Sequence, residues 1–430
     1  MKTFLQPLQN LAEMEEIQKQ AKKNRGILEI SGCMESQKAH LMYGLSGLFP
    51  CHLVIAADEK SAKELYEDYR FYDKRVYYYP AKDLLFFQAD IHGNLLIRQR
   101  MQVIRALLER EDEITVVTSI DGCMDYLAPL EKIEKQLIHF RNDSTLDMDK
   151  LTAALVHMGY ERVGQVEMPG QFSIRGGIID IYSLTEENPW RIELWGDEID
   201  SIRSFDAQSQ RSLENLDDVT IYPAAEQPME KNGVSFLDYF KETETLFFLD
   251  ELNHLEENAK AVQEEFQQSC ENRKEKGEIS LSGDWMCTWE ELCHKINDRN
   301  CVAMSLLDPK KSNWKISGQF NITVKSMSSY QSSFELLVKD LKQYKKEGYR
   351  IVLLSGSRTR AERLAKDLQE EGLNAFYGQD SDRILQPGEI MVAYGHARRG
   401  FEYPLVKFAV ITETDIFGKE QKKRKKKKEY

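Results

Sequence analysis

The stretch Gly32-Cys33-Met34-Glu35-Ser36-Gln37-Lys38-Ala39 sets a glycine and a lysine at the spacing of a Walker A loop, G-x-x-x-x-G-K-[ST]. In a working loop the second glycine lets the backbone curl around phosphate, and the hydroxyl after the lysine ligates Mg²⁺. Here Gln37 puts a Cβ where φ is often positive or room is needed, and Ala39 offers a metal no oxygen. Glu35 adds negative charge where phosphates would lie. Further along, "LFFLDE" (Leu246–Glu251) has the form of a Walker B strand, four apolar residues followed by two acids, in which Asp250 would help hold Mg²⁺. The same string arises wherever a buried strand meets a helix N-terminus, where the dipole favours acids. The expectation is a degenerate, inactive nucleotide loop made of Gly32, Gln37, Lys38, Ala39, Asp250 and Glu251, with no cofactor and no catalytic residue.

The elements that would position these residues follow from periodicity. From Gly26 to Thr118, apolar runs ("GILEI", "HLVIAA", "RVYYYP", "EITVVTS") alternate with helical patterns, the cadence of a parallel sheet covered by helices. After Pro129 the rhythm changes. One helix near Met148–Met158 leads into strands separated by short turns, so a small α+β hairpin domain is expected. The helix-and-strand cadence resumes around Asp217–Pro223 and continues through "TLFFLDE" and a long charged helix to about Lys276. "KSMSSYQSSF" (Lys325–Phe334) reads as a serine-rich linker, and a second small α/β domain closes near Phe417.

Bulk properties narrow the function classes. At 430 residues the chain exceeds one hydrophobic core. No apolar run approaches the roughly 20 residues of a membrane-spanning helix, and the N-terminus lacks the pattern of a signal peptide, so a cytoplasmic location is expected. Seven cysteines at irregular intervals give no disulfide framework, and the spacing of Cys287, Cys293, His294 and Cys301 matches no common zinc pattern. The net charge is −13 although Lys422–Lys428 alone carries seven positive charges, which leaves the remainder at −20. Such a body is a poor broad DNA-binding surface. The basic run reads as a disordered tail, with weak attraction to nucleic acid as the sharper alternative.

The most specific signal lies in the hairpin region, "YERVGQVEMPGQFSIRGGIIDIYSL" through "RIELWGDEIDSIRSFDAQSQRS". It resembles the interaction domain shared by the excision-repair protein UvrB and the bacterial transcription-repair coupling factors. The flanking α/β segments and the terminal "VITETDIFGKE" resemble the N-terminal portion of the coupling factors, whose nucleotide loop is degenerate as a family trait, whereas UvrB would need an intact one. The resemblance implies a UvrB-like, RecA-type parallel-sheet domain in two parts (1–128 and 213–324) interrupted by an α+β UvrA-interaction domain (129–212). A small α/β domain (334–417) and a basic tail (418–430) follow. It also implies that RNA polymerase and DNA are engaged by regions not present in these residues, which include the family's ATP-dependent DNA translocase motor.

Side-chain alternation puts Phe172 and Ile174 on one face of "FSIR", with Ser173 and Arg175 on the other. In "RIELW" Ile192 and Leu194 oppose Arg191, Glu193 and Trp195. If the apolar set packs on the Met148–Met158 helix, Arg175, Arg191 and Trp195 point outward, and arginine and tryptophan dominate many protein interfaces. By the resemblance, Arg175 and Arg191 correspond to arginines that contact UvrA; Trp195 falls where phenylalanine is common in the family. The alternative is an ordinary solvated sheet face. The function expected is that of a monomeric, non-catalytic module that recruits UvrA, with a remnant NTPase or helicase, or a UvrB-like DNA-binding protein, as the alternative. Three smaller signals stand beside it: His92, Arg98 and Arg100 near aromatics, read as a plain loop-and-helix connection; His396, Arg398 and Arg399 in "GHARRGFEY"; and Gly176-Gly177, read as tight curvature or a bulge beside the arginine.

Overall fold

A computed structural model describes residues 1–23, 25–82, 94–110, 112–226, 233–276, 286–308, 314–378 and 382–418. His92 and the basic run Lys422–Lys428 lie outside them. The chain divides into two compact units: Met1–Val76, Glu242–Glu256 and Cys293–Tyr430 in the first, Tyr77–Lys241 and Glu257–Leu292 in the second.

In the first unit five parallel strands stand side by side in the order Ile316–Asn321, Gly26–Ser31, Asn300–Ser305, Thr245–Asp250, Cys51–Ala56. The strand before the Lys38 turn and the strand ending in acids are separated by one inserted strand, the RecA-type order expected. Their near-continuous apolar sequences follow from burial: Gly26–Ser31 and Thr245–Asp250 are buried at every position. Three of the five strands, Thr245–Asp250, Asn300–Ser305 and Ile316–Asn321, thus enter the sheet from beyond the hairpin region.

A second sheet in this unit runs Lys325–Ser326, Phe401–Tyr403, Phe408–Thr412, Arg350–Ser355, Ile390–Tyr394, Ala375–Tyr377. The helices Phe334–Glu347 and Arg358–Glu370 cover a core of Leu337, Leu341, Ile351, Leu353, Ala361 and Leu368. The serine-rich stretch differs from the expected linker. Lys325 and Ser326 pair with Glu402 and Phe401, and the Tyr330 amide donates to the Asp415 carbonyl at 2.8 Å. Backbone pairing needs no side-chain periodicity, so composition hid it.

The second unit contains a six-stranded sheet in the order Ser212–Leu216, Glu198–Phe205, Trp190–Trp195, Ile178–Ile181, Gln171–Arg175, Glu161–Arg162. All neighbours are antiparallel except the last pair. Its inner face, with Phe172, Ile179, Ile181 and Ile192 fully buried, packs on Leu151 and Leu155 of the helix Met148–His157. Those two leucines are one turn apart on one helix face, and Asp147 caps the helix by accepting from the Lys150 amide. Asp218–Ile221, expected to reopen the α/β part, instead pairs antiparallel with Ile138–Arg141 and adds Val219 and Ile221 to this core. Among the described residues no helix is long and apolar enough to cross a membrane.

Candidate functional site

The loop that carries the Walker A-like spacing begins at Gly32, whose φ is +81° and where a Cβ would lie 2.1 Å from the Ile322 carbonyl oxygen; only glycine fits. Beyond it, the left-handed position falls on Glu35 (φ +37°) and not on Gln37, which instead opens the helix Gln37–Ser46. Gln37 keeps its room by turning inward. Its Oε1 accepts from the Met34 amide at 3.1 Å, and its Nε2 donates to the Tyr403 hydroxyl at 2.9 Å. Ala39 is buried and brings no oxygen. Cys33 is sealed too, and burial pushes its thiol up to about 12, so it is no nucleophile at neutral pH.

Lys38, 8% exposed, donates at 2.6 Å to Asp250 Oδ1 and at 2.6 Å to Glu251 Oε1. Burial alone would lower the ammonium pKa, but the two carboxylates outweigh it and hold it above the ordinary lysine value. The lysine that would meet phosphate and the acids that would hold a metal therefore neutralise one another. Glu251, at φ +55°, also accepts from the Leu306 amide at 3.0 Å, which fixes it in the mouth of the loop.

Residues 396–403 close the loop from outside. The Arg399 amide donates to Ser36 Oγ at 3.1 Å, and Arg398 meets Asp68 through its amide (2.9 Å) and Nε (3.1 Å) and Glu64 through a terminal nitrogen (2.7 Å). His40 lies between Phe401 and Tyr72 rings. Its Nε2 donates to the Phe4 carbonyl at 2.8 Å, so Nδ1 accepts from the Tyr403 hydroxyl at 3.1 Å. Burial pushes the imidazole down to about 4 and keeps it neutral.

The outer face of the hairpin sheet is built differently. Arg175 ends its strand at the two-residue Gly176-Gly177 turn, where φ is +61° at Gly176, and Trp195 ends its strand at the Gly196-Asp197 turn. The two turns are adjacent: the Leu194 amide donates to the Gly177 carbonyl at 2.8 Å. Trp195 is 84% exposed. Arg175, its side chain 47% exposed, donates at 2.7 Å to Asp180 Oδ2. Arg191 grips the same carboxylate as a fork, through Nε to Oδ1 at 2.7 Å and a terminal nitrogen to Oδ2 at 2.8 Å, and adds a bond to Gln210 Oε1 at 3.0 Å. Its guanidinium also lies 4.4 Å over the buried Phe205 ring.

Alternation thus assigns the faces correctly, but exposure differs from the expectation at one position. Arg191 is 13% exposed because Asp180 and Phe205 draw it down onto the sheet. Asp180, Phe205 and Gln210 escaped the sequence reading, although the acid in "IIDIY" alternates onto the arginine face and was the available signal. Of the smaller candidates, Arg100 is fully buried between Asp125 (2.8 Å), Glu226 (2.7 Å) and the Tyr79 hydroxyl. Arg98 donates to the Glu186 carbonyl at 3.3 Å.

Residues 138–226 match the family model of the UvrB interaction domain, a span that holds Arg175, Asp180, Arg191 and Trp195 together. Curated relatives extend the match beyond that domain. The transcription-repair-coupling factor of Bacillus subtilis (strain 168) is 29% identical over 473 aligned residues, covering 93% of this chain and 40% of the relative. That of Staphylococcus haemolyticus (strain JCSC1435) is 26% identical over 408, covering 82% and 34%. The chain spans less than half the length of the curated relatives it matches. With a segment that matches the UvrB interaction domain and a RecA-type sheet whose loop lysine is internally paired, the chain is similar to an N-terminal portion of the transcription-repair-coupling factors.

Proposed function

We propose that these residues act as the UvrA-recruiting module of a transcription-repair coupling factor, through the outer face of the hairpin sheet, and that they do so without nucleotide chemistry. One observation carries the reading: within the segment matching the UvrB interaction domain, two guanidiniums meet one buried carboxylate on a face where Trp195 stands almost fully in water. A large rigid aromatic beside charged forks is the composition of a protein-interface hot spot. The scaffold reading of the α/β part rests on Lys38, whose charge Asp250 and Glu251 already satisfy. In the coupling factor this module works in the cytoplasm as a monomer, linking stalled transcription to excision repair, while other regions engage RNA polymerase and DNA.

Titration of purified UvrA against the chain tests the first part. Micromolar or tighter binding that Arg175→Ala and Trp195→Ala weaken is expected; unchanged affinity in both variants refutes the assignment of this face. Equilibrium dialysis with Mg-ATP tests the second, and micromolar binding abolished by Lys38→Ala overturns it.

A further inference from the structure

We infer that the second α/β domain carries a small docking site for single-stranded nucleic acid, in which Tyr394 stacks an unpaired base and Arg358 holds a neighbouring phosphate. The site is separate from the hairpin sheet and does not depend on the UvrA reading.

Two side chains here break the local rules. Ile390–Tyr394 is an interior strand of the sheet, and its first four residues are buried. Its last, Tyr394, lies in register beside Ser355 yet stands 54% exposed, and its hydroxyl makes no hydrogen bond among the described residues. A large ring left in water at the exit of a buried strand is the informative exception to burial. Arg358 opens the helix Arg358–Glu370, where the dipole disfavours cations, and the first turn holds Arg358 and Arg360 with no acid. Arg360 is answered by Glu413, 3.3 Å away, whose carboxylate also accepts from Ser355 Oγ. Arg358 has no carboxylate partner among the described residues. Its recorded contact is Tyr394 itself, with the guanidinium 5.7 Å from the ring centroid. Glu413 thus cancels one arginine of the turn and leaves the other.

The pair meets at the carboxyl ends of Arg350–Ser355 and Ile390–Tyr394, where the Gly395 amide donates to the Ser355 carbonyl at 3.0 Å. Open α/β sheets take their ligands at this end. Arg363, further along the helix, and His396, two residues past Tyr394, are exposed as well, and the exposed Glu362 offsets one of the two free arginines. The combination selects the ligand. A guanidinium forks onto phosphate oxygens, and a phenol ring stacks on a base whatever its identity. A duplex offers the phosphate but keeps its bases enclosed, and an acidic peptide offers charge but no flat partner for the ring. A single strand supplies both. The footprint is small, in keeping with a net charge of −13 that speaks against a broad nucleic-acid surface.

The test is fluorescence anisotropy of a labelled oligodeoxythymidylate titrated with the full chain, its residues 422–428 changed to serine in every sample so that the basic run contributes nothing. Saturable binding is expected, and weaker binding of a duplex of the same length. Arg358→Ala is expected to weaken binding about fivefold or more and to lower the slope of log affinity against log salt by about one. Tyr394→Ala is expected to weaken it about fivefold or more with the slope unchanged, and Tyr394→Phe, which keeps the ring, to retain it. Thermal unfolding of each variant is the control for folding; should Tyr394→Ala not fold, Tyr394→Leu reads the same loss of stacking. Equal affinity for the duplex with a silent Tyr394→Ala reduces the patch to phosphate contact and overturns the inference, as does tighter binding of a polyglutamate peptide than of the oligonucleotide. Absence of oligonucleotide binding overturns it too, while leaving UvrA recruitment untouched.

Discussion

The loop mouth and the hairpin face each bring carboxylate to cation, with opposite results. At Lys38 two acids close on one cation, and the cluster is buried with no positive charge to offer. At Asp180 two cations close on one acid, and the surplus stands at the surface. The stoichiometry of the ion pairs, more than their strength, separates a closed cluster from an open one.

Breaking the loop cluster should have the largest effect. Lys38→Met leaves Asp250 and Glu251 facing each other without compensation, and is expected to cost about 3–5 kcal/mol in urea unfolding, with Lys38→Met/Asp250→Leu recovering part of it. Equal stability of single and double variants would deny that the pair is a coupled unit. Next is acid sensitivity. The folded pKa of His40 is depressed to about 4 from 6.5, so the unfolded state takes up a proton first. Its contribution is therefore full above pH 6.5 and lost as pH falls from 6.5 toward 4, amounting to roughly 3 kcal/mol at the lower end. His40→Leu should flatten the pH dependence of stability in that window, and an unchanged slope would assign it elsewhere.

The open cluster should respond in binding and scarcely in stability. Trp195→Ala is expected to cost about 2 kcal/mol of UvrA affinity with thermal unfolding unaltered; a stability loss of that size would mean the indole packs on the protein. The smallest effect belongs to the closure of the loop. Tyr403→Phe removes the hydroxyl shared by Gln37 and His40 and should cost about 1–2 kcal/mol in unfolding, while leaving UvrA affinity unchanged.

Much of the fold was legible because burial writes itself into period. The alternation in "FSIR" and "RIELW" placed Phe172 and Ile192 inside, and the Gly32-to-Lys38 spacing pointed to the loop. What stayed hidden involves partners far apart in sequence. Motif resemblance grouped Lys38 with Asp250 and Glu251, 212 and 213 positions away, but nothing near it reveals that the acids bond the lysine directly. Likewise, Asp218–Ile221 carries the same β-branched signature whether it opens a parallel sheet or returns to Ile138–Arg141. The exposure of Arg191 was misjudged for a related reason: alternation gives the face of a side chain, but a buried acid across the strand decides its height above that face.

The tyrosine at 403 gives the loop a directional thread of protons, from the Gln37 amide to the phenol, from the phenol to imidazole Nδ1, and from Nε2 to the Phe4 carbonyl. Each link fixes the tautomer of the next, so the thread can be cut but not rerouted. Writing glycine and threonine at 37 and 39 would restore the lettering of the motif but strand the Tyr403 hydroxyl and the Met34 amide, because the loop is wired to another part of the same chain.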